Sequence, residues 1–138
     1  MIRIPFAAVL LTFAAPVLAA PSSITGRWIV HDGSSVVTIS DCGGSLCGRV
    51  TKVLKAPPPG SPTTDINNPD PKLRSRSLMD VAILSGLKPD GDNWTGRIYD
   101  PKSGKSYRSV VGRSNDGTLK VQGCVSVICR TMTWKPAT

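Results

Sequence analysis

Short segments of alternating apolar and polar residues recur along the chain, and a strong turn signal separates each one from the next. Asp32-Gly33, Gly43-Gly44 and Asn115-Asp116-Gly117 are examples of these signals, and such residues favour tight hairpin turns. A period of two is typical of strands that bury one face. The pattern predicts eight strands, over residues 25–31, 35–41, 47–54, 78–84, 94–99, 105–112, 118–123 and 130–134. Residues 77–85 also fit a short helix, because their apolar positions match both periods.

Eight short strands joined by turns favour a closed barrel or a sandwich. An open sheet of this size would leave two unpaired edges that promote aggregation, whereas closure removes both. A barrel of eight strands is just wide enough to be filled by side chains or to hold one small ligand. The chain contains no Glu and few good helix formers, which agrees with this fold class. We therefore expect an all-β protein, with one antiparallel barrel domain over residues 20–138.

One long connection, residues 56–76, interrupts the pattern of strands. It begins with P-P-P-G-S-P at 57–62, and proline cannot donate a hydrogen bond to a strand ladder. Loops of this length are uncommon in compact domains unless they act as lids or binding elements. The first three strands are too few to bury a core alone. We interpret residues 56–76 as a lid-like, Pro-rich loop within the domain and not as a domain boundary.

Two pairs of cysteines, Cys42 with Cys47 and Cys124 with Cys129, each bracket a predicted hairpin turn. Four cysteines allow three pairings, and we favour these two because the sulfurs would face each other across the neck of each hairpin. Half of a metal site is the alternative for each pair, but structural zinc sites usually have closer cysteine spacing. We expect two disulfides, no metal site and no cofactor.

Residues 1–19 have the pattern of a cleavable signal peptide. Arg3 supplies a positive charge, an apolar run extends from Ile4 to Leu18, and small residues at Val17 and Ala19 suit cleavage after Ala19. The run is too short and too interrupted by proline for a good membrane span, and no later segment approaches the roughly 20 apolar residues that a span requires. We expect a periplasmic or secreted protein that does not span the membrane. An uncleaved anchor is the alternative.

The net charge is +8, with 17 basic residues against 9 acidic ones. Such a surface attracts anions, including envelope phosphates, acidic polysaccharides and nucleic acid. The basic residues are scattered, however, and they are not interleaved with aromatic residues as in proteins that bind single-stranded nucleic acid. We therefore expect no nucleic-acid partner, and an envelope glycan or lipid stays a candidate partner.

Five motifs are distributed along nearly all of the chain after the leader. They are G-R-W at 26–28, V-V-T-I-S-D-C-G-G-S-L-C-G-R at 36–49, D-x-x-N-P-D-P-x-L-R-x-R at 65–76, W-x-G-x-I-Y-D-P-x-x-G-K-x-Y at 94–107 and G-C-V-x-x-x-C-R-T-x-T-W at 123–134. Together they resemble the small exported bacterial proteins of domain of unknown function 2147 (DUF2147). Ser77 departs from the family, which usually has Pro before Leu78. The resemblance implies a lipocalin-like barrel and brings no catalytic residues.

The motif at Gly26-Arg27-Trp28 is also similar to the Gly-x-Trp of the first lipocalin strand. In lipocalins this Trp packs near the closed end of the barrel, against a basic residue from the last strand. The resemblance therefore implies a role in barrel closure for Gly26 and Trp28, with Arg130 as the cation over the indole ring.

The densest polar cluster of the sequence lies in the long loop and consists of Asp65, Asn68, Arg74 and Arg76. One interpretation is an anion clamp at the barrel mouth, in which the two arginines bind the head group of a ligand. The other is that Asp65 and Asn68 fix the loop while the arginines pair with nearby aspartates.

Trp94 and Tyr107 lie on neighbouring predicted strands and are the candidate aromatic contacts of a ligand in the barrel. Gly96 shares a face with Trp94 and could leave room for that ligand. Simple filling of a small barrel by these aromatic residues is the alternative.

No pattern in the sequence indicates catalysis. His31 is the only histidine, so a Ser-His-Asp triad would have to use it, and no G-x-S-x-G motif is present. A glycosidase-like pair of Asp65 and Asp100 would need both side chains in a cleft, but both follow turn-forming patterns. We expect an exported non-enzymatic module that binds a small, partly apolar ligand with an anionic end. The alternative is a cell-envelope interaction protein with a filled core and a basic surface for anionic glycans, lipids or a protein partner.

Overall fold

A computed structural model describes residues 1–2, 4–5, 7–15 and 20–138 of the chain. Eight strands pair in chain order, each antiparallel to the next, and β8 pairs with β1 to close the barrel. The strands are β1 (Gly26–Ile29), β2 (Ser35–Asp41), β3 (Leu46–Val53), β4 (Ala82–Asp90), β5 (Asn93–Asp100), β6 (Lys105–Arg113), β7 (Leu119–Val125) and β8 (Ile128–Pro136). The eight-stranded antiparallel barrel expected from the sequence is confirmed. The expected cleavage point after Ala19 lies outside the described residues.

The fourth strand is where the sequence-based boundaries fail most. It was expected at residues 78–84, but β4 extends from Ala82 to Asp90. Gly86, two residues beyond the expected end of the strand, has a φ of +60° and lies in a shift of register between Ser85 and Lys88. Such a bulge lets the strand bend and continue. The helix considered for residues 77–85 is wrong, and the loop instead contains a single 3-10 turn at Pro71–Leu73.

The two ends of the barrel differ. The N-terminal segment enters at one end, which we call the closed end, together with the β2–β3, β4–β5 and β6–β7 turns. Ile24 is fully buried there, and the carbonyl oxygen of Ser22 accepts a hydrogen bond from Trp94 Nε1 at 3.1 Å. The opposite end, which we call the loop end, carries the long β3–β4 connection and the β1–β2, β5–β6 and β7–β8 turns.

Alternating side chains of the strands fill the barrel interior. Its buried cluster consists of Ile24, Trp28, Val37, Ile39, Leu46, Leu84, Leu87, Val111, Leu119, Val121 and Trp134. Several of these residues are contributed by the closed-end halves of the strands. Half-buried side chains pack against the cluster, and among them Val30, Val50 and Ile98 lie toward the loop end. Trp94 is the half-buried member of this set at the closed end.

Both disulfides expected from the sequence are confirmed. Cys42 pairs with Cys47 across the β2–β3 turn, and Cys124 pairs with Cys129 across the β7–β8 turn. In the second hairpin the two cysteines are direct partners in the strand ladder. Loops this short remove little entropy from the unfolded chain, on the order of 2 kcal/mol per bridge. The bridges therefore brace two hairpin tips at opposite ends of the barrel.

The junction between the first and last strands is the shortest in the barrel. β1 pairs with β8 only at Trp28 with Pro136 and Ile29 with Lys135. The stretch of β8 from Ile128 to Trp134 has ladder partners on β7 alone. The barrel wall is therefore incomplete beside β8 at the loop end. Among the described residues, no helix is both long enough and apolar enough to cross a membrane.

Candidate functional site

The polar cluster of the long loop is centred on the carboxylate of Asp65, which is 0% exposed. Its Oδ1 accepts a hydrogen bond from the Tyr99 hydroxyl at 2.5 Å. Its Oδ2 accepts one from Asn68 Nδ2 at 2.8 Å, and Arg76 donates to the same oxygen from Nη2 at 2.8 Å and from Nε at 2.9 Å. Both carboxylate oxygens are thus occupied by protein donors.

The ionisation of this cluster follows from burial and hydrogen bonding. Burial alone would raise the pKa of Asp65, but the donors from Tyr99, Asn68 and Arg76 outweigh it and hold the pKa below its usual range. Burial, followed by the contact with the Asp65 carboxylate, raises the pKa of Tyr99 to about 12. The cluster is therefore an ionised carboxylate held by a neutral phenol, an amide and a guanidinium near neutral pH.

Further hydrogen bonds join the two arms of the loop and attach it to the barrel. The Asp65 amide donates to the Arg76 carbonyl oxygen at 3.0 Å, and Arg74 Nε donates to the Asn68 carbonyl oxygen at 2.7 Å. Asn67 Nδ2 donates to the carbonyl oxygens of Pro101 and Lys102 in the β5–β6 turn. The cluster therefore fixes the conformation of the loop, as in the second interpretation drawn from the sequence.

The cluster lies on the outside of the barrel wall. Ile98 packs against the interior, and successive residues of a strand point to opposite faces, so Tyr99 points outward. Asp65 is hydrogen-bonded to Tyr99 and therefore lies on the outer side of the wall, together with Asn68 and Arg76. The contacts of Asp65, Asn68, Arg74 and Arg76 are those of a loop anchor, and their interpretation as an anion clamp at the barrel mouth stays a prediction. Tyr99, which holds them to the wall, was missed because its partner is 34 positions away in the sequence.

Trp94 and Tyr107 do not come together in one site. Trp94 pairs with Val111, whereas Tyr107 pairs with Ile98, four residues further along β5 and about 13 Å away at strand spacing. Trp94 belongs to the closed end, where it borders an open groove of about 250 Å³ that is also lined by Asp41, Gly44, Ser45, Leu46 and Pro89. Tyr107 is half-buried toward the loop end.

Gly96 makes room for protein and not for a ligand. A Cβ atom at this position would collide with the carbonyl oxygen of Ser85 and would lie 2.9 Å from Leu87 Cδ2. The bulge of β4 therefore occupies the space that the sequence suggested for a ligand. Gly123 is different, because a Cβ atom there would meet only Ile98 Cγ2, at an ordinary contact distance of 3.5 Å.

A row of small residues crosses the inner face near mid-barrel. Gly96 pairs with Ser109, Ser109 with Gly123, and Gly123 with Arg130. Ser109 is 0% exposed, and its Oγ has no hydrogen-bond partner among the described residues. Arg130 starts from the same face of β8 as Met132 and Trp134, and its side chain is exposed. Buried hydroxyls are usually hydrogen-bonded, so Ser109 is an exception that calls for an explanation.

The residues beside this row leave the loop end of the interior partly exposed. Ile98, Tyr107, Val50 and Met132 are each half-buried. Together with Ser109, Gly123 and Arg130 they form what we call the barrel mouth. Of the residues that form this mouth in the structure, only Tyr107 was proposed from the sequence as a ligand contact. The signal it missed was the alternation from Trp134 back through Met132 to Arg130, which puts Arg130 on the inner face.

The expectation that Arg130 closes the barrel is wrong. The cation over the Trp28 indole is Arg113, whose Cζ lies 5.5 Å from the ring centroid. Trp28 pairs with Pro136, so Arg130 is six residues, or about 20 Å, further along β8. Trp28 itself is buried at the closed end, and its Nε1 donates to the Ile24 carbonyl oxygen at 2.9 Å. Gly26, next to it, has a φ of +132°, which favours glycine.

The groups considered for catalysis are dispersed. His31 is exposed in the β1–β2 turn and has no recorded hydrogen bond to a Ser or Asp side chain in the part of the chain that the structure describes. Asp100 accepts a hydrogen bond from the Lys102 amide, as expected of a turn residue, while Asp65 is enclosed by its donors. Among the described residues, no three His, Cys, Asp or Glu side chains are grouped so as to hold a metal ion.

Residues 26–136 match the model of a family described as an uncharacterized protein conserved in bacteria, DUF2147. The chain belongs to this family. The DUF2147 chain is also similar to the solved structure of protein HP1028 from the human pathogen Helicobacter pylori, which is described as belonging to the lipocalin family. The two share 25% identity with a TM-score of 0.71, and the similarity covers 84% of each chain. No curated protein sequence matches. The lipocalin-like fold expected from the sequence is thus confirmed.

Proposed function

We propose that the protein is an exported, non-enzymatic binding module that holds a small, partly apolar ligand in the barrel mouth. The likeness to a structure described as a lipocalin supports a binding protein rather than a catalyst. Two disulfides and a leader-like N-terminal segment support export to an oxidising compartment, either the periplasm or the medium.

The unpartnered hydroxyl of Ser109 carries the proposal. A buried polar group without a partner costs stability, on the order of 1–3 kcal/mol, unless a bound molecule satisfies it. Gly123 pairs with Ser109, and a Cβ atom at Gly123 would make only an ordinary contact with Ile98. The half-buried Ile98, Tyr107 and Met132 would supply apolar contacts to such a molecule. Because Ser109 is 0% exposed, a ligand would place a polar atom near its hydroxyl by displacing the half-buried side chains of the mouth, and its apolar body would then lie between them.

Arg130 sets the preferred charge of the ligand. Arg130 pairs with Gly123 at the end of the row of small residues, and its side chain is exposed to solvent. A guanidinium in this position favours a carboxylate, sulfonate or phosphate at the outer end of the ligand. The anionic head group that we first placed at Arg74 and Arg76 is therefore assigned to Arg130.

Titration with anilinonaphthalene sulfonate tests this function, because the probe combines aromatic rings with one anionic group. We expect saturable binding that Gly123→Leu weakens at least tenfold, since the new side chain projects into the mouth. Gln122→Leu is the matched control, because it adds a similar side chain on the outer face of the same strand. Arg130→Gln should weaken the anionic probe more than a neutral aromatic analogue. Equal binding by the wild type and Gly123→Leu would exclude the barrel mouth.

A further inference from the structure

The exposed large apolar side chains of residues 20–138 are all at the loop end of the barrel. They are Val53, Leu54, Ile66, Met79, Val125, Val127 and Ile128. Val53 ends β3 and Leu54 follows it, Ile66 and Met79 belong to the long connection, and the remaining three form the tip of the β7–β8 hairpin. Single exposed apolar residues are ordinary, but their concentration at one end marks an interaction surface.

The tip of the β7–β8 hairpin is the most prominent part of this surface. Val125, Val127 and Ile128 are 62%, 91% and 76% exposed, and Val125 pairs with Ile128 in the ladder. The Cys124–Cys129 disulfide closes the hairpin directly below them. A braced tip cannot easily fold its apolar side chains back onto the barrel. These three apolar side chains are therefore available to any partner that contacts the loop end.

Basic residues surround the apolar tip. Arg108 pairs with Cys124, and its Nη2 lies 3.8 Å from Cys129 Sγ, while Arg130 follows the disulfide on β8. The loop end holds more than twice as many basic as acidic residues. The basic ones are Arg49, whose guanidinium reaches the Asp80 carbonyl oxygen, and Lys52, Lys55, Lys72, Arg74, Arg76, Arg97, Lys102, Lys105, Arg108 and Arg130, and the acidic ones are Asp32, Asp65, Asp70, Asp80 and Asp100. Asp65 is further neutralised by Arg76.

The closed end has no such surplus. Its basic residues are Arg27, Lys88, Arg113, Lys120 and Lys135, and its acidic ones are Asp41, Asp90, Asp92 and Asp116. The positive charge of the protein is therefore polarised along the barrel axis, toward the same end that exposes the apolar side chains. Apolar side chains ringed by Lys and Arg match the interface of an anionic bilayer, whose surface potential is negative.

We propose that the loop end docks on an anionic lipid bilayer. Val125, Val127 and Ile128 enter the interface between head groups and acyl chains, and Lys105 and Arg108 lie against the lipid phosphates. The closed end, with its balanced charges, faces away from the membrane. This orientation does not depend on the ligand, because it uses the hairpin tip and not the interior of the mouth.

Sedimentation with vesicles tests the docking and its lipid source. The protein should bind mixed vesicles of phosphatidylglycerol and phosphatidylcholine. Its affinity for vesicles of phosphatidylcholine alone should be at least tenfold lower. Val127→Asp should reduce binding at least tenfold, whereas Asn115→Asp, with the same change in charge at the closed end, should leave it unchanged. The double variant Lys105→Gln, Arg108→Gln at the loop end should weaken binding to the mixed vesicles. The double variant Lys88→Gln, Lys135→Gln at the closed end removes the same charge and is its control. Equal loss in both members of either pair would overturn the proposed orientation.

A fluorescent reporter distinguishes insertion from purely electrostatic attraction. We expect the added indole of Val127→Trp to shift its emission to shorter wavelength with anionic vesicles, and that of Asn115→Trp to remain unchanged. Vesicle binding without a shift at position 127 would overturn the insertion. Equal binding to both vesicle types would overturn the preference for an anionic surface. Neither result depends on the anilinonaphthalene sulfonate titration, so this proposal and the ligand proposal fail separately.

Discussion

Replacing Asp65 by Asn is the sharpest test of how the long loop is held. The substitution keeps the size of the side chain and removes its charge. Asn could still accept the Tyr99 hydrogen bond at Oδ1, but its amide group would then face Asn68 Nδ2 and the Arg76 guanidinium. Three favourable contacts at Oδ2 would become contacts between donors. The fully buried position of Asp65 leaves no water to compensate.

The expected loss of stability follows from these contacts. Breaking a buried, hydrogen-bonded ion pair by removing one partner typically costs about 3–5 kcal/mol. Arg76 keeps 38% of its side chain exposed, so water can solvate part of the guanidinium that loses its partner. We therefore expect the free energy of unfolding to fall by about 3 kcal/mol, at the lower end of that range. Native domains are stable by only about 5–15 kcal/mol, so the change should be large in relative terms.

Equilibrium unfolding in urea measures this loss directly. Asp92→Asn is the matched control, because Asp92 is exposed in the β4–β5 turn, and we expect no measurable change for it. Arg76→Gln should also destabilise the protein, and the double variant should lose less than the sum, because both substitutions break one interaction. A loss below about 1 kcal/mol for Asp65→Asn would refute the reasoning.

The pH dependence of the same pair gives an independent check. The folded pKa of Asp65 is lowered, so the stability that it contributes is present above its unfolded pKa near 4 and is lost as the pH falls through the folded value. The gap in unfolding free energy between wild type and Asp65→Asn should therefore shrink below about pH 4. A constant gap would mean that the charge of Asp65 does not matter.

Three further predictions concern other elements. The folded pKa of Tyr99, about 12, lies above its ordinary value of 10.0, so the wild type should lose up to about 2–3 kcal/mol between pH 10 and pH 12, and Tyr99→Phe should not show this loss in urea unfolding. Gly104→Ala should destabilise the fold by more than about 1 kcal/mol, because φ is +71° and the new Cβ would collide with the Asn67 carbonyl oxygen. Gly91→Ala, with a φ of +60° and open space, should cost less in the same thermal scan. Replacing Cys124 and Cys129 together by Ser should lower the unfolding free energy by about 2 kcal/mol, and an unchanged value would contradict the bracing role.

Local patterns in the sequence were sufficient for the architecture. Alternation with a period of two predicted the strands, because burial of one face dictates it, and β2 was placed without error. Cysteine spacing predicted both bridges, because each pair lies within one hairpin. The boundaries of β4 failed because a bulge at Gly86 allows a strand to pass a residue that normally ends one.

Contacts between distant residues were beyond this reasoning. Which cation covers Trp28 depends on the register between β1 and β8, and that register places Arg113 there and Arg130 at the mouth. The cluster around Asp65 was found in part, because four of its members share one loop. Its attachment to Tyr99 required knowing which wall the loop lies on. The sequence thus revealed the polar residues of the loop but not the direction in which they point.

Native mass spectrometry of the protein from its own host tests the central claim most directly, namely that the barrel mouth holds a small molecule. Under mild conditions we predict a population heavier than the bare chain by the mass of one small compound. That added mass should disappear in Gly123→Leu and persist in Gln122→Leu. A bare mass for the wild type, or an added mass that survives in Gly123→Leu, would contradict the account.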